Sequence, residues 1–385
     1  MKIRYAKEDE KDSIREIWDY CFNDSPKFTD YYFKNRYDRY NTVVVDEDGE
    51  IVSSLQLNQY KINLNDKYYD TSYVVGVSTL PQVRGKGYMK NIMEFTLEEL
   101  YKKGQLISIL MPIDYRLYRK YGYEHCYDQI EYNIDIESLK SFRSKGIMKK
   151  ATLRDLDYFV DIHNSFLDDV NGNIKRDKSY YENLFEEVKS EDGHIYIHQD
   201  REIDGYIIYF LNDDNMFVRE LFYKNIDSLK SMLKFIYNHN TQCKSVTIST
   251  PINDKIRFIL DNPKNSTIKI KPFMMGRIIN LEKYLKGLDI ESNLEETINI
   301  SIIDDFIEEN NGVFRIMLKD KKLNIEKGNF EYEVEFNINI ISQLAFSYID
   351  ASEAFILNNL DENKKVKDFL NTVFPKKDNY INEYI

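Results

Sequence analysis

The strongest structural signal in this 385-residue sequence is YVVGVSTLPQVRGKGYM, residues 73–89. Its first part, Tyr73–Leu80, is apolar and rich in β-branched residues, so it predicts a buried strand. After Gly87, apolar residues recur at helical spacing until Gly104 ends the pattern. A strand, a glycine turn and a helix direct several backbone N–H groups and a helix N-terminus at one point. That arrangement suits a pyrophosphate.

The glycine spacing narrows the choice of phosphate ligand. A dinucleotide fold needs G-x-G-x-x-G and a Walker loop needs G-x-x-x-x-G-K-[ST], and neither pattern stands here. The run Gln82–Gly87 resembles the Q/R-x-x-G-x-G/A pyrophosphate loop of the GNAT superfamily of acyl-CoA-dependent N-acyltransferases. Gly85 and Gly87 would let the backbone approach the phosphates, and Arg84 and Lys86 would add positive charge. The alternative is an ordinary glycine turn between a strand and a helix.

Composition excludes several classes of function. The length predicts two or three domains, and a net charge of −12 argues against general nucleic-acid binding. No apolar run approaches the roughly 20 residues of a membrane span, and residues 1–5 do not begin a signal peptide. Cys21, Cys126 and Cys243 are too few and too far apart for a disulfide framework or a zinc site. We therefore expect a cytoplasmic protein without a structural metal.

The order of predicted elements around the glycine loop is the one expected of the GNAT fold. A strand, Ile3–Tyr5, comes first, and an amphipathic helix around Trp18 follows it. Asn23–Pro26 ends that helix and is predicted to begin a loop. A hairpin within residues 42–57 precedes the central strand, and Leu106–Pro112 is the next buried strand.

The segment after that strand narrows the resemblance to one branch of the superfamily. Leu117–Tyr123 matches the pattern aliphatic, Tyr, x, Arg or Lys, aromatic, Gly, aromatic of the enhanced intracellular survival (Eis) acetyltransferases. The resemblance implies that Tyr118 protonates the CoA thiolate, since tyrosine and thiol pKa values lie within roughly 2 units. Composition alone does not choose among the neighbouring tyrosines. We assign Tyr115, Tyr121 and Tyr123 to aromatic packing.

The resemblance also implies where acetyl-CoA is contacted. In the family, the end of the central strand binds the pantetheine, the loop and the helix start bind the pyrophosphate, and a further contact follows the next strand. The positions that match are Val77, Ser78, Thr79, Arg84, Gly85, Lys86, Gly87, Tyr88, Met89, Lys90, Ile113 and Asp114.

Three domains are expected. The basic segment Lys145–Lys150 is interpreted as a linker, after which the helix–strand order repeats with Lys224–Asp227 in place of the glycine loop. Beyond residue 291, strand-like runs, the last of them Tyr332–Ile340, precede helices and resemble a sterol-carrier-protein-like domain. The expected fold is α/β or α+β, with tandem GNAT folds, each a mixed central sheet flanked by helices. Residues 1–145 would be the catalytic domain, 146–290 a degenerate GNAT-like domain and 291–385 the sterol-carrier-protein-like α/β domain.

The resemblance implies an acetyl-CoA-dependent N-acetyltransferase that acts by direct transfer on a small-molecule primary amine (aminoglycoside, polyamine or lysine-like). In the family the α-carboxylate at the end of the chain is the general base, and here that group belongs to Ile385. The resemblance also implies a homo-oligomer, up to a hexamer. The alternative is a non-enzymatic carrier of a lipid or another hydrophobic ligand, with a vestigial GNAT domain. The intact glycine loop and Tyr118 favour the enzyme.

Overall fold

The computed structural model describes residues 1–384, so the predicted catalytic Ile385 lies outside the described residues. The described chain forms two units. One contains Met1–Asn23, Arg36–Tyr127 and the chain from Phe273 onward, and the other contains Asp24–Asn35 and Asp128–Pro272. No helix within residues 1–384 is long and apolar enough to cross a membrane.

The N-terminal elements follow the predicted order with one addition. Asn23–Pro26 was predicted to open a loop, but a helix begins at Pro26. Proline suits the first turn of a helix because its missing N–H would have no intrahelical partner there. In chain order the elements are β1 (Lys2–Tyr5), α1 (Lys11–Cys21), α2 (Pro26–Asn35), β2 (Thr42–Glu47), β3 (Glu50–Leu64), β4 (Lys67–Thr79), α3 (Tyr88–Lys102), β5 (Ile107–Leu110), α4 (Tyr115–Arg119) and β6 (Glu124–Asp135).

The middle of the chain repeats this order. Lys145–Lys150, interpreted as a linker, is in part a strand, because Ile147 to Lys150 pair with Gln199 to Tyr196. The elements are β7 (Ile147–Lys150), α5 (Leu156–Phe166), β8 (Asn173–Ile174), α6 (Lys178–Ser190), β9 (His194–Gln199), β10 (Ile203–Asn212), β11 (Asn215–Tyr223), α7 (Ile226–Tyr237), β12 (Ser245–Thr250), α8 (Ile256–Ile259), β13 (Ser266–Ile278) and α9 (Leu281–Gly287).

Each unit contains a mixed sheet with one parallel pair. In the first unit the order is β1-β2-β3-β4-β5-β13, and only β4 and β5 are parallel. In the second it is β7-β9-β10-β11-β12-β6, and only β11 and β12 are parallel. Each sheet therefore takes its last strand from the other half of the chain. The tandem GNAT folds expected from the sequence are confirmed, with this exchange of strands as an addition.

The C-terminal part forms a separate small sheet covered by helices. Its strand order is β16-β15-β14-β17, with β14 and β17 parallel. The predicted strand Tyr332–Ile340 is too long, because Asn337 caps a helix by accepting a hydrogen bond from the backbone N–H of Ile340. The elements are β14 (Glu296–Ile303), β15 (Gly312–Lys319), β16 (Lys322–Lys327), β17 (Val334–Asn337), α10 (Ile338–Ala345), α11 (Ala351–Leu357) and α12 (Lys364–Val373).

Helix α3 is fixed against the first sheet by its apolar face. Ile92, Met93, Leu97 and Leu100 are almost fully buried in one core with side chains of β2, β3 and β4. Full burial of such a side chain stabilises the fold by about 1.5–3 kcal/mol. The helix N-terminus, and the glycine loop before it, are therefore held at a defined place beside β4.

Candidate active site

The site begins where β4 and β5 stop pairing. Their parallel register runs from Thr71 opposite Ile107 to Val74 opposite Leu110. There β5 ends, whereas β4 continues to Thr79. Beyond Val74 the backbone of β4 therefore has one edge without β5, which can hydrogen-bond an extended ligand.

A β-bulge shapes this end of β4. Ser54 pairs with Ser78 and Gln56 pairs with Val75, so β4 carries one residue more than β3 in this interval. Gly76 lies in the bulge with φ +59°, and an added Cβ would lie 2.1 Å from Oε1 of Gln56 and 2.2 Å from the Trp18 ring. Only glycine fits both the backbone conformation and the space.

Buried hydroxyl groups hold the end of β4 against β3. Ser53 Oγ donates to the carbonyl of Ser78 at 2.6 Å and lies 2.9 Å from Oγ1 of Thr79. The hydroxyls of Ser54 and Ser78 are 3.1 Å apart. Ser78 and Thr79, predicted from the resemblance to contact the cofactor, are thus held in place by these contacts with β3.

The glycine loop adopts the conformation that only glycine takes readily. Gly85 has φ +82° and Gly87 has φ +85°, and an added Cβ at either would meet nothing within 4 Å. The space in front of both residues is therefore open. α3 starts at Tyr88, and Gly87 has no side chain to cap it. The first N–H groups of the helix are available to an anion.

The two predicted cations of the loop point in different directions. Arg84 Nε donates to the carbonyl of Thr79 at 3.0 Å, which ties the loop to the end of β4. Lys86 Nζ lies 3.7 Å from Oε1 of Glu47. The same carboxylate accepts a hydrogen bond from Tyr88, which raises the pKa of Tyr88 to about 12 and lowers that of Glu47.

One cavity of about 610 Å³ joins the open end of β4 to the glycine loop. In the described part of the chain, every predicted cofactor position lines it except Lys86 and Asp114. Asp114 instead caps α4 and hydrogen-bonds Arg116, which lowers the pKa of Asp114 to about 2. The residues that line the cavity are Cys21, Phe22, Val77, Ser78, Thr79, Val83, Arg84, Gly85, Gly87, Tyr88, Met89, Lys90, Ile113, Leu117, Lys120 and Tyr121.

The sequence reasoning missed one wall of this cavity. Leu117, Lys120 and Tyr121 are spaced as one face of a helical turn, a pattern that could have placed them together. Cys21 and Phe22, at the end of α1, join them, and the sequence gives no comparable signal for these two.

Tyr118 lies next to this wall on α4 and is only 6% exposed. Burial disfavours the phenolate and raises the pKa of Tyr118 to about 12. Its hydroxyl makes no hydrogen bond with residues 1–384, so it is available to a ligand.

The neighbouring tyrosines differ in their surroundings. Tyr115 packs edge-on against the ring of His125. Tyr123 is hydrogen-bonded to Ser108 at 2.8 Å. Tyr121 packs on Phe306 but also lines the cavity, and its buried hydroxyl has no partner among the described residues. Packing therefore describes Tyr115 and Tyr123 and leaves the Tyr121 hydroxyl unexplained.

The C-terminal tail lies against the first domain. Asn379 Nδ2 donates to the carbonyls of Cys126 at 2.9 Å and Phe346 at 2.8 Å. Tyr73 on β4 donates its hydroxyl proton to the carbonyl of Glu383 at 3.4 Å, and Glu383 is only 2% exposed. The last described residues are thus docked on the strand that also forms the cavity.

Comparison with protein families assigns most of the chain. Residues 2–126 and residues 172–278 each match an acetyltransferase (GNAT) domain, and residues 281–382 match a sterol carrier protein domain. The chain is a GNAT acetyltransferase with a C-terminal sterol carrier protein domain. A GNAT domain implies acyl-CoA as the co-substrate, and an acetyltransferase acts on an acceptor that is commonly a small molecule.

Solved structures share the whole architecture of this GNAT acetyltransferase. A probable N-acyltransferase from Enterococcus faecalis superposes with a TM-score of 0.89 at 21% identity and covers 100% of this chain and 99% of its own. A GCN5-related N-acetyltransferase from Anabaena variabilis gives 0.86 at 20% identity, and Eis1 from Mycobacterium abscessus gives 0.77 at 12%, each covering 100% of both chains. These likenesses establish the fold. A comparison with curated protein sequences found no match.

The second GNAT domain differs at the place of the phosphate loop. Asn225 precedes α7 and accepts a hydrogen bond from the N–H of Ser228 at 2.9 Å. Its amide also donates to Asp204 at 2.7 Å. An anion at this helix N-terminus would have to displace the chain's own cap and approach a carboxylate, neither of which applies to the loop before α3.

Proposed function

We propose that the chain transfers an acetyl group from acetyl-CoA directly to a primary amine of a small molecule, either an aminoglycoside, a polyamine or a lysine-like compound. One observation carries this proposal. A single cavity connects the glycine loop to the open end of β4, and Tyr118, whose hydroxyl makes no hydrogen bond with residues 1–384, lies beside it.

The residues present fit an acyl-CoA in three ways. Gly85 and Gly87 leave open space before the N-terminus of α3, where backbone N–H groups favour a pyrophosphate. The open edge of β4 suits an extended chain that carries amide groups. Tyr121 offers a buried hydroxyl without a partner within residues 1–384, and such a group is destabilising until a ligand satisfies it. When bound, acetyl-CoA supplies an activated thioester.

Tyr118 is assigned as the general acid. With a pKa of about 12 it remains protonated throughout the physiological range, so it can donate its hydroxyl proton to the departing sulfur. The burial that raises the tyrosine pKa raises that of a thiol as well. Both pKa values therefore shift in the same direction, so proton transfer from Tyr118 to the thiolate remains feasible.

The terminal carboxylate, that of Ile385, is assigned as the general base. In water an α-carboxyl group has a pKa near 3.5 and is a weak base. Desolvation raises the pKa of a carboxylate and lowers that of an ammonium ion, which brings the two together. The support for this role is the docked tail, because Glu383 contacts Tyr73 four residues before Val77 on the same strand.

Release of free thiol from acetyl-CoA in the presence of an amine panel tests the reaction. We expect turnover with at least one primary amine and none with the N-acetylated form of that amine. Absence of thiol release with every amine would refute the proposed reaction.

A C-terminal extension tests the base separately. Residues added after Ile385 move the carboxylate but change no side chain, so kcat should fall by at least about 100-fold while CoA still binds. The control carries the same tag in the exposed turn at Asp320 and Lys321, in the same terminal domain. Full activity of the extended protein would exclude Ile385.

A further inference from the structure

The turn that follows Tyr118 is held by a helix of the terminal domain. Asn339, on α10, donates both hydrogens of its side-chain amide, to the carbonyl of Arg119 at 2.9 Å and to the carbonyl of Tyr123 at 3.0 Å. One helical turn later, Gln343 donates to the carbonyl of His125 at 2.8 Å. One face of α10 therefore hydrogen-bonds backbone carbonyls of the turn and of the residues just after it, rather than side chains.

Close packing at Gly122 also constrains the turn. Gly122 has φ +81°, and an added Cβ would lie 1.4 Å from Nη1 of Arg277. Arg277 is fully buried and donates from Nη2 to both oxygens of Asp304, at 2.8 and 2.9 Å. The turn is thus held both by close packing at Gly122, against Arg277 and Ile338 of α10, and by the hydrogen bonds of Asn339.

Few hydrogen bonds form within the turn itself. The N–H of Tyr121 donates to the carbonyl of Tyr118 at 2.9 Å, and that of Gly122 donates to the carbonyl of Arg119 at 3.0 Å. Arg119 directly follows Tyr118, so a hydrogen bond to the Arg119 carbonyl restrains the backbone next to the residue that carries the phenol. Asn339 donates to this carbonyl and to that of Tyr123, so it links the two ends of the turn.

We propose that Asn339 is a positioning residue for acetyl transfer, which holds the Arg119–Tyr123 turn so that the Tyr118 hydroxyl faces the cavity. This inference rests on the proposed role of Tyr118 as the acid. A displacement of the reacting groups of about 1 Å can lower a rate by about 100-fold. The terminal domain then contributes to catalysis through α10 as well as through its tail.

Two substitutions on the same helix separate positioning from stability. Asn339→Ala removes the two hydrogen bonds to the turn. Asn337→Ala removes the cap of α10, a hydrogen bond from the N–H of Ile340 that does not involve the turn. We expect Asn339→Ala to lower kcat about tenfold and to leave the KM for acetyl-CoA within about twofold. Asn337→Ala should lower the melting temperature and lower kcat less than Asn339→Ala does, because it leaves both hydrogen bonds of Asn339 in place. Asn339→Asp keeps the shape without the donor and should lose as much kcat as the alanine variant.

A double-mutant cycle with Tyr118→Phe tests the route. Tyr118→Phe alone should lower kcat by about 100-fold, and Asn339→Ala should then lower it by less than about twofold more, because its target group is already gone. A full further tenfold loss, or equal kcat for Asn339→Ala and wild type, would overturn the inference and leave the acid assignment intact. Unchanged kcat in Tyr118→Phe would overturn the acid assignment and the inference together.

Discussion

Replacement of Gly87 by glutamate is the most direct test of the cofactor site. Gly87 has φ +85°, a conformation that costs a non-glycine residue about 1–2 kcal/mol. The new Cβ would meet nothing within 4 Å, so no clash is added. A carboxylate at the start of α3 returns about 0.3–1 kcal/mol through the helix dipole. We expect a folded variant that has lost about 1 kcal/mol of stability.

Gly87→Glu is expected to weaken CoA binding much more than it lowers stability. A carboxylate about 5 Å from one phosphate charge raises the free energy of the complex by about 3 kcal/mol at an effective dielectric constant of 20. That corresponds to a loss of more than about 100-fold in affinity for CoA. The side chain would also stand in front of the N–H groups at the start of α3.

Titration calorimetry with CoA measures this loss, and Gly104→Glu is the matched control. Gly104 also has a left-handed φ, +76°, and it follows the other end of α3, about 22 Å away for a 15-residue helix. A carboxylate at a helix C-terminus is unfavourable, so the control is no more stable than the test variant. Wild-type CoA affinity in folded Gly87→Glu would refute the assignment of the loop.

Two further substitutions probe the tyrosines beside the cavity. Tyr121→Phe removes a buried hydroxyl without a partner in residues 1–384, so the melting temperature should stay equal or rise while CoA affinity falls about two- to tenfold; a clear loss of stability would contradict this. Tyr118 has its pKa raised from 10 to about 12, so above pH 10 the unfolded chain binds fewer protons and stability declines as pH rises. Urea unfolding of Tyr118→Phe between pH 10 and 12 should show a decline shallower by roughly 1 kcal/mol per pH unit, and parallel curves for the two proteins would contradict the burial of this phenol.

The parts of the site that lie close together in sequence were predictable. Residues 73–89 contain the strand, the glycine loop and the helix start, and local patterning defines all three. The left-handed φ values of Gly85 and Gly87 give the physical reason for the two glycines. The hairpin within residues 42–57 and the aromatic turn after Tyr118 are likewise short-range features.

The parts that depend on distant pairing were not predictable. Ile130 to Asp135 of β6 pair with β12, which lies 110 residues or more further along the chain. Strand β13 begins at Ser266, 179 residues after Gly87, and takes the corresponding place beside β5. Periodicity identifies a strand and its buried face, whereas the choice of partner depends on tertiary packing. For the same reason nothing in the sequence around Asn339 indicates its contact with the Arg119–Tyr123 turn.

These long-range contacts bear on why an acetyltransferase carries a sterol carrier protein domain at all. The described residues of the terminal domain contact the first GNAT domain at several places, among them Asn339 at the aromatic turn and Glu383 at β4. Asn339 binds a backbone carbonyl of the turn after Tyr118, and the Glu383 carbonyl accepts from the Tyr73 side chain on β4. Asn339 and Glu383 both belong to the C-terminal part of the chain. We therefore expect that a shift of α10 relative to the first sheet would disturb both the Arg119–Tyr123 turn and the C-terminal tail. We therefore expect the activity to depend on docking of the terminal domain rather than on any ligand that this domain binds.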